Sequence, residues 1–332
     1  MMEKSMTATD ETLRRLHQIP NVQVSAGAVL ARYTRFGLGG PADVLVETAD
    51  AEGFATALEV VRVSGLDHAV IGSGTNLVVA DEGFRGVVLR YTANKLTAEG
   101  NRVTAEAGAE LQQVVDFTIA HGLAGLETLA GIPGSLGAAV YGNAGAYGHS
   151  MAEIVVIVRF FDGQRVRTFG NAECEFCYRE SVFKRRKEFI IFSAELELTP
   201  GDEAVLRRTA DEILAVRNAK FPPTMKCAGS VFKNLLIAEL PAAVSAPANV
   251  VREGKIPAAY FLEQVGAKGM RRGGICVADY HANLVYNAGA GTAREFRDLI
   301  GELKAKVREL FGIELEEEVQ YVGFDAPPTS RS

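Results

Sequence analysis

From Ala42 onward the chain switches repeatedly between two hydrophobic rhythms. ADVLVE, HAVIGSG and GVVLRY carry their apolar residues in the short runs of strands, whereas Phe54, Leu58 and Val61 recur at helical spacing across Ala51–Ser64. A second set repeats the change. RVTAEAG reads as a strand, Leu111, Val114, Val115, Thr118 and Ile119 mark one face of a helix, and EIVVIVRFF and EFIIFSAELEL read as strands on either side of a turn-rich connection. Because helices and strands mix without strict alternation, an α+β fold is expected rather than a doubly wound parallel sheet. Beyond Asp202 a helix is expected to about Asn218. Pro222-Pro223 forbids its continuation, which puts a domain boundary near residues 215–222.

The last third predicts a short helix around Pro257–Gly266, strands at GGICVA and ANLVYN, and a long helix. Thr292 and Glu295 have the spacing of a capping box, Phe296, Leu299, Ile300, Leu303, Val307 and Leu310 follow at helical spacing, and Gly312 closes the helix. LEEEVQYVG then reads as a final strand. Residues 1–20 are polar, mixed in charge and end at Pro20, the pattern of a frayed or weakly docked arm, and DAPPTSRS is a polar tail. No repeat occurs at solenoid or propeller spacing.

A chain of 332 residues suits two or three domains. Hydrophobic residues at 48% and charged residues at 23% are ordinary for a globular protein and favour neither disorder nor a membrane class. The net charge of −6 argues against a nucleic-acid partner, whose capture needs a concentrated basic face, so an anionic ligand must be held by local donors. No apolar run reaches the roughly 18–20 residues needed to cross a bilayer, and MMEKSMTATDETLRRL lacks a signal core; no membrane contact and a cytoplasmic location are expected. Cys174, Cys177, Cys227 and Cys276 do not make a disulfide framework, and the C-E-F-C pair has no histidine at ligand spacing, so reduced thiols and no metal are expected.

Several stretches carry candidate chemistry. VIGSGTNLVV leaves a strand into Gly72, Ser73, Gly74, Thr75 and Asn76. Glycines let successive N–H groups turn inward, and hydroxyl and amide side chains add donors; such a loop suits a diphosphate, although a tight strand exit uses the same residues. It lacks the Lys-Ser/Thr pair of a Walker loop, and Leu77 departs from G-x-G-x-x-G. GIPGSLGAAVYGNAGAYG, residues 131–148, has six glycines, four alanines and no formal charge in eighteen positions. So little side chain lets a flat ring system lie against peptide groups, or lets a turn bury itself against a sheet. The two segments together make a dinucleotide the economical ligand. CYRESVFK sets Arg179 and Lys184 beside Ser181, and the planar fork of arginine suits a carboxylate or phosphate. KFPPTMKCAGSVFKN gathers Lys220, Lys226, Ser230, Lys233 and Asn234, a site for an acidic ligand or an ordinary loop. Glu316, Glu317 and Glu318 form an acidic run, by default solvated, in which strand alternation turns Glu317 away from its neighbours.

In chain order, RFGLGGPADVLVE, VIGSGTNLVVADEGFRGVVL, AGIPGSLGAAVYGNAGAYG, YRESVFK, GSVFKN and LEEEV resemble the UDP-N-acetylenolpyruvoylglucosamine reductase family across about residues 32–323. The resemblance implies an FAD-binding module of the vanillyl-alcohol-oxidase type in two lobes, 21–92 and 93–215, after a flexible arm at 1–20. It implies next an α/β substrate-binding domain at 216–324, whose last strand returns to the active site, and a tail at 325–332. It puts Gly72, Ser73, Gly74, Thr75 and Asn76 on the FAD diphosphate and lines the rest of the flavin with Gly131, Ile132, Pro133, Gly134, Ser135, Gly137, Ala138, Asn143, Gly145 and Ala146. With no histidine or cysteine in 70–79 or 131–148, a non-covalent flavin is expected. YRESVFK runs directly into EFIIFSAELEL, which resembles the shorter class of these reductases, without the substrate-capping tyrosine loop.

The same resemblance implies the reaction. NADPH reduces FAD, and UDP-N-acetylglucosamine enolpyruvate then receives a hydride at its vinyl carbon to become UDP-N-acetylmuramate for the bacterial cell wall. By position, Ser230 matches the family's proton donor, Arg179 and Glu318 the pair acting on the carboxylate, and Lys220, Asn234 and Gln264 groups that bind substrate. LEEEVQ departs from the usual tail, in which proline, arginine or lysine stands third and a basic residue sixth; Glu318, directly before Val319, is the match. A monomer is expected. Two other classes compete. The Ser230 segment sets the chain apart from a flavin oxidase or dehydrogenase acting on an alcohol or sugar, and Arg179, Ser230 and Glu318 together argue against a nucleotide-sugar binding protein without turnover.

Overall fold

The structure, a computed structural model, describes residues 8–241, 244 and 246–324 and divides into two compact units. The first takes in the described residues up to 28, with 42–73 and 85–223; the second takes in 29–41, 74–84 and the described residues from 224 onward. Residues 1–7 of the expected arm and the expected tail at 325–332 lie outside the described residues.

Two sheets build the first unit. Gln23–Ala26, Ala42–Thr48, Phe84–Tyr91 and His68–Ile71 lie side by side in that order, with Gln23–Ala26 antiparallel to Ala42–Thr48 and His68–Ile71 parallel to Phe84–Tyr91. The second sheet is antiparallel throughout, in the order Val166–Gly170, Val155–Phe161, Ile190–Glu197, Arg102–Glu106, Leu96–Glu99. The Ala51–Ser64 helix begins where Asp50 accepts from the amides of Glu52 and Gly53 and ends at Gly65, whose φ of +71° favours glycine. Its Phe54, Ala57, Leu58 and Val61 are buried. Phe54 from that helix, Tyr91 from the first sheet and Phe192 from the second meet with ring centroids 4.8 to 6.0 Å apart. The stretches read as two lobes therefore share one hydrophobic core.

That core also reaches into the expected arm. Ala8–Leu16 is a helix, and Leu16 is fully buried against the first unit. Leu13 and Leu16 stand one turn apart, and so short an apolar stripe among charged residues does not register as a periodic segment.

In the second unit Lys226–Ser230, His281–Asn287, Ile275–Ala278 and Arg271–Arg272 form an antiparallel sheet in that order. The Ala293–Phe311 helix buries Phe296, Leu299, Ile300, Leu303 and Val307, as the spacing predicts, whereas Leu310, at the same spacing in the last turn, is exposed. Phe36 meets Phe296 with ring centroids 5.0 Å apart, and Asn287 Nδ2 donates to the Phe36 carbonyl at 3.2 Å, which explains why residues 29–41 belong to this unit. The helix start is heavily satisfied. Thr292 and Glu295 form the expected capping box, and Asp81 accepts from the amides of Ala293 and Arg294 at 2.8 and 3.0 Å. Asp81→Ala removes a carboxylate from a positive helix end and strands two N–H groups, so a loss of about 1–2 kcal/mol is expected, read as a lower urea midpoint at unchanged slope.

The expected final strand is shorter than LEEEVQYVG. Only Gln320–Val322 is strand, parallel to Leu77–Val79, and the acidic run before it is held by separate contacts. Glu316 pairs with Lys233 at 2.5 Å and Glu317 with Lys304 at 2.9 Å, so these two carboxylates are ion-paired rather than merely solvated. Three consecutive like charges lack the apolar alternation that would commit them to a ladder. Among the described residues no helix is long and apolar enough to cross a membrane.

Candidate active site

Within the first unit Gly72 lies close to the second glycine-rich segment. A Cβ added to Gly72 would stand 3.2 Å from Ser135 Oγ and 3.9 Å from Ala138 Cβ. The 131–148 stretch is not bare backbone throughout, however. Leu136–Tyr141 is a helix whose cap, Ser135, accepts from the Ala138 amide at 3.4 Å; Leu136 and Val140 point into the core while Ala138 is exposed. Some glycines serve packing: a Cβ on Gly137 would meet Ala107 Cβ at 2.8 Å, and one on Gly131 would meet Leu214 Cδ1 at 2.9 Å. Asn143 is turned inward, donating from Nδ2 to the Cys177 carbonyl at 2.9 Å and accepting at Oδ1 from the Ala152 amide at 3.0 Å. Close packing thus lies beneath, and Gly72 and Ala138 are exposed at the surface.

YRESVFK is fastened to the same stretch. Arg179 Nη2 donates to the Gly145 carbonyl at 3.3 Å, and Ser181, fully buried, donates to the Tyr141 carbonyl at 2.7 Å while capping the Val182–Arg185 turn. Lys184 Nζ donates to the Arg179 carbonyl and pairs with Glu180, both at 2.8 Å, which helps hold Arg179 at its unusual φ of +58°. Burial, and then the charge of Glu180, pushes the Tyr141 hydroxyl up, so it stays neutral beside the glycine-rich surface.

The loop at 72–76 fits a polar anionic ligand. Ser73 Oγ is buried without a hydrogen-bond partner, as is Thr128 Oγ1 just before the 131–148 stretch. A buried hydroxyl left unpaired costs about 1–3 kcal/mol, and a cofactor oxygen or nitrogen would remove that penalty. Gly74 has φ +68°, and its carbonyl accepts from the Arg35 amide at 3.2 Å. Asn76 has a further task in the second unit: Nδ2 donates to the Glu318 carbonyl and its own carbonyl accepts from the Gln320 amide, both at 2.9 Å.

In the second unit the segments that carry Ser230 and Glu318 are joined through main chain. Ser230 ends its strand half-buried, after a register break between Cys227 and Ser230 where Gly229 adopts φ +77°. Next to it, the Val231 carbonyl accepts from the Glu318 amide at 2.7 Å, and the Lys233 amide donates to the Glu316 carbonyl at 2.9 Å. Asn234 Oδ1 accepts from the Ala258 amide at 3.4 Å, at the start of the Ala258–Gln264 helix, whereas Gln264 is exposed at its end. A helix rises about 1.5 Å per residue, so the two ends of this one, Ala258 and Gln264, are about 9 Å apart along its axis. Lys220 closes the Glu203–Lys220 helix of the first unit, with Nζ 5.1 Å from the centre of the Phe221 ring.

Sequence reasoning passed over Asn283, which is 2% exposed and bonds Phe232 through both ends of its carboxamide. The available signal was an amide inside the largely apolar run Ala282–Tyr286. Cys174 is also buried; burial pushes its thiol up to about 12, and it donates to the Gly170 carbonyl. Among the described residues no three histidine, cysteine, aspartate or glutamate side chains are grouped to hold a metal ion.

Known proteins share both halves of this architecture. Residues 42–166 match the FAD binding domain, and residues 221–322 match the C-terminal domain of UDP-N-acetylenolpyruvoylglucosamine reductase. The chain is 65% identical to the UDP-N-acetylenolpyruvoylglucosamine reductase of Solibacter usitatus, over 93% of this chain and 100% of that one. It is 33% identical to that of Bacillus subtilis, over 95% of this chain and 99% of the other. The crystal structure of UDP-N-acetylenolpyruvylglucosamine reductase from Thermus caldophilus superposes with a TM-score of 0.70 at 29% identity, over 91% of this chain and 98% of that one. Likeness of this extent, carried through the cofactor and C-terminal domains alike, means that the chain belongs to the UDP-N-acetylenolpyruvoylglucosamine reductase family of FAD-dependent oxidoreductases.

Proposed function

We propose that this chain reduces UDP-N-acetylglucosamine enolpyruvate to UDP-N-acetylmuramate with NADPH as hydride donor, as a cytoplasmic monomer. Bound FAD would supply hydride transfer between the reduced nicotinamide and the vinyl CH2 carbon of the substrate. Gly72, Ser73, Gly74 and Thr75 would hold its diphosphate, and the backbone and small side chains of 131–138 and 145–146 its ring system; the orphaned Ser73 hydroxyl and the approach of Gly72 to Ser135 support that assignment. Asn76 and Asn143 would act by shaping these segments, since their carboxamides are engaged within the fold.

The remaining work belongs to side chains. A hydride added to the terminal carbon leaves an electron pair on the adjacent carbon, delocalised into the carboxylate. Arg179, steadied by the Gly145 carbonyl, offers a planar pair of donors to that carboxylate and lowers the energy of the developing charge. Ser230 Oγ gives its proton to the carbanionic carbon. A serine hydroxyl is a weak acid, so this transfer relies on the strong basicity of the acceptor and on cations such as Lys220 to offset the alkoxide. An ionised carboxylate facing the same charge would oppose it, so Glu318 acts by orienting a donor or by carrying a proton. Lys220, Asn234 and Gln264 bind the diphosphate and the groups on either side of it.

The observation that carries this reading is the 2.7 Å hydrogen bond from the Glu318 amide to the Val231 carbonyl, which ties the expected acid segment to the residue after Ser230. Anaerobic mixing of the NADPH-reduced protein with UDP-N-acetylglucosamine enolpyruvate tests it. Rapid return of the oxidised flavin spectrum, with UDP-N-acetylmuramate formed, is expected. A spectrum that stays bleached while sugars or alcohols reduce the flavin instead would favour an oxidase of the same cofactor fold.

A further inference from the structure

We infer that Asn283 is the positioning residue of the proton donor, a side-chain clamp that fixes Ser230 relative to Glu318. The inference rests on the reading of Ser230 as that donor. Asn283 is 2% exposed, and its contacts converge on the two residues after Ser230. Its Oδ1 accepts from the Phe232 amide at 2.9 Å, its Nδ2 donates to the Phe232 carbonyl at 2.9 Å, and its own carbonyl accepts from the Val231 amide at 3.1 Å. A carboxamide bonded to both the N–H and the C=O of one residue reproduces the hydrogen-bonded pair of an antiparallel ladder. The amide orientation follows from the partners, because the Phe232 N–H can only donate.

The strand needs such a device at this point. Regular pairing with His281–Asn287 is interrupted between Cys227 and Ser230, where Gly229 turns through φ +77°, and resumes only at the pair of Ser230 with Leu284, so Ser230 has no regular ladder on its N-terminal side and depends on what holds the residues after it. Beyond Ser230 the backbone is gripped from two sides. Asn283 takes Phe232 and the Val231 amide, while the remaining Val231 group, its carbonyl, receives the Glu318 amide at 2.7 Å. Two residues of main chain thus transmit the position of Asn283 to Ser230 on one side and to Glu318 on the other. The carboxamide touches neither substrate nor cofactor in this role; it acts by removing freedom from the group that does. Such freedom matters, since a shift of about 1 Å in a reacting group is worth on the order of a hundredfold in rate.

Asn283→Asp separates the two halves of the clamp, because a carboxylate accepts from the Phe232 amide but sets a negative oxygen against its carbonyl. Asn283→Leu removes both bonds while keeping the same number of side-chain heavy atoms, in a bulkier side chain. Each variant is purified with FAD and followed through both half-reactions by anaerobic stopped flow. Flavin reduction by NADPH is expected to stay within about twofold of wild type, while reoxidation by the enolpyruvyl substrate at saturation slows by roughly ten- to a hundredfold. The decisive arm is the pair of double variants with Ser230→Ala. If Asn283 acts through the hydroxyl, either substitution adds less than about twofold to the loss from Ser230→Ala alone. Equal slowing of both half-reactions, full multiplication of the losses in the double variants, or wild-type reoxidation in Asn283→Leu overturns the positioning role. Wild-type reoxidation in Ser230→Ala itself is a different failure, that of the proton-donor reading beneath it.

Discussion

Ser230→Ala is expected to leave reduction of the flavin by NADPH nearly intact and to slow its reoxidation by UDP-N-acetylglucosamine enolpyruvate by about a thousandfold or more. Hydride delivery from the nicotinamide needs no proton from the protein, whereas completing the substrate half-reaction needs one at carbon, and general-acid catalysis of that kind contributes ~10²–10⁴-fold. The substitution removes one oxygen from a half-buried residue and leaves the backbone pairing of Ser230 with Leu284 in place, so stability should shift by no more than about 1 kcal/mol. That separation makes the test clean. The urea midpoint and the oxidised flavin spectrum serve as controls, and rapid-mixing traces for the two half-reactions give the answer. Comparable slowing in both would mean a damaged cofactor site, and no slowing in the second would remove Ser230 from the chemistry. Ser230→Cys, which restores a transferable proton, is expected to recover part of the loss.

The elements that the hydrophobic rhythm defined best are those with local signals at both ends. Ala51–Ser64 and Ala293–Phe311 have a capping side chain, a continuous apolar face and a terminal glycine, and each lies where the pattern puts it. Leu136–Tyr141 was hidden because six residues, three of them alanine or glycine, are too few to set a period, so its presence depends on Leu136 and Val140 finding the core. The exchange of 29–41 and 74–84 into the second unit had no local signal at all. It follows from Phe36 meeting Phe296 and from Leu77–Val79 pairing in parallel with Gln320–Val322, contacts between residues far apart along the chain.

The candidate site divides in the same way. Arg179, Ser230 and Glu318 stand out by motif resemblance, and the glycine-rich segments stand out by composition. What those signals omit is the layer of amides that shapes them. Asn76, Asn143 and Asn283 each spend a carboxamide on backbone groups, and an asparagine in a sequence gives no sign of whether its partner will be a ligand or a peptide. Asn76 carries the clearest consequence. A residue that the resemblance assigns to the cofactor also holds the Glu318 carbonyl and the Gln320 amide, so residues 74–76 and the segment around Glu318 are parts of one hydrogen-bonded assembly within the second unit.

That assembly leaves Gly74 no slack, and Gly74→Ala is expected to be among the most damaging single-atom additions in the chain. At φ +68° an alanine is strained by about 1–2 kcal/mol wherever it sits. Here the new Cβ would also lie 1.7 Å from the Tyr33 carbonyl oxygen and 2.8 Å from its carbon, both backbone atoms that cannot rotate aside. The loop cannot yield freely either, because the Gly74 carbonyl is bonded to the Arg35 amide and Asn76 is fastened to Glu318 and Gln320. A loss of at least about 3 kcal/mol is therefore expected, together with release of most of the FAD on gel filtration. Gly229→Ala supplies the control. It has φ +77° but nothing within 4 Å of the added carbon, so its stability should fall by only about 1–2 kcal/mol and its flavin should be retained. Urea midpoints and the ratio of flavin to protein absorbance distinguish the two, and a Gly74→Ala protein with wild-type stability and a full complement of FAD would refute the close approach of Tyr33 to this loop.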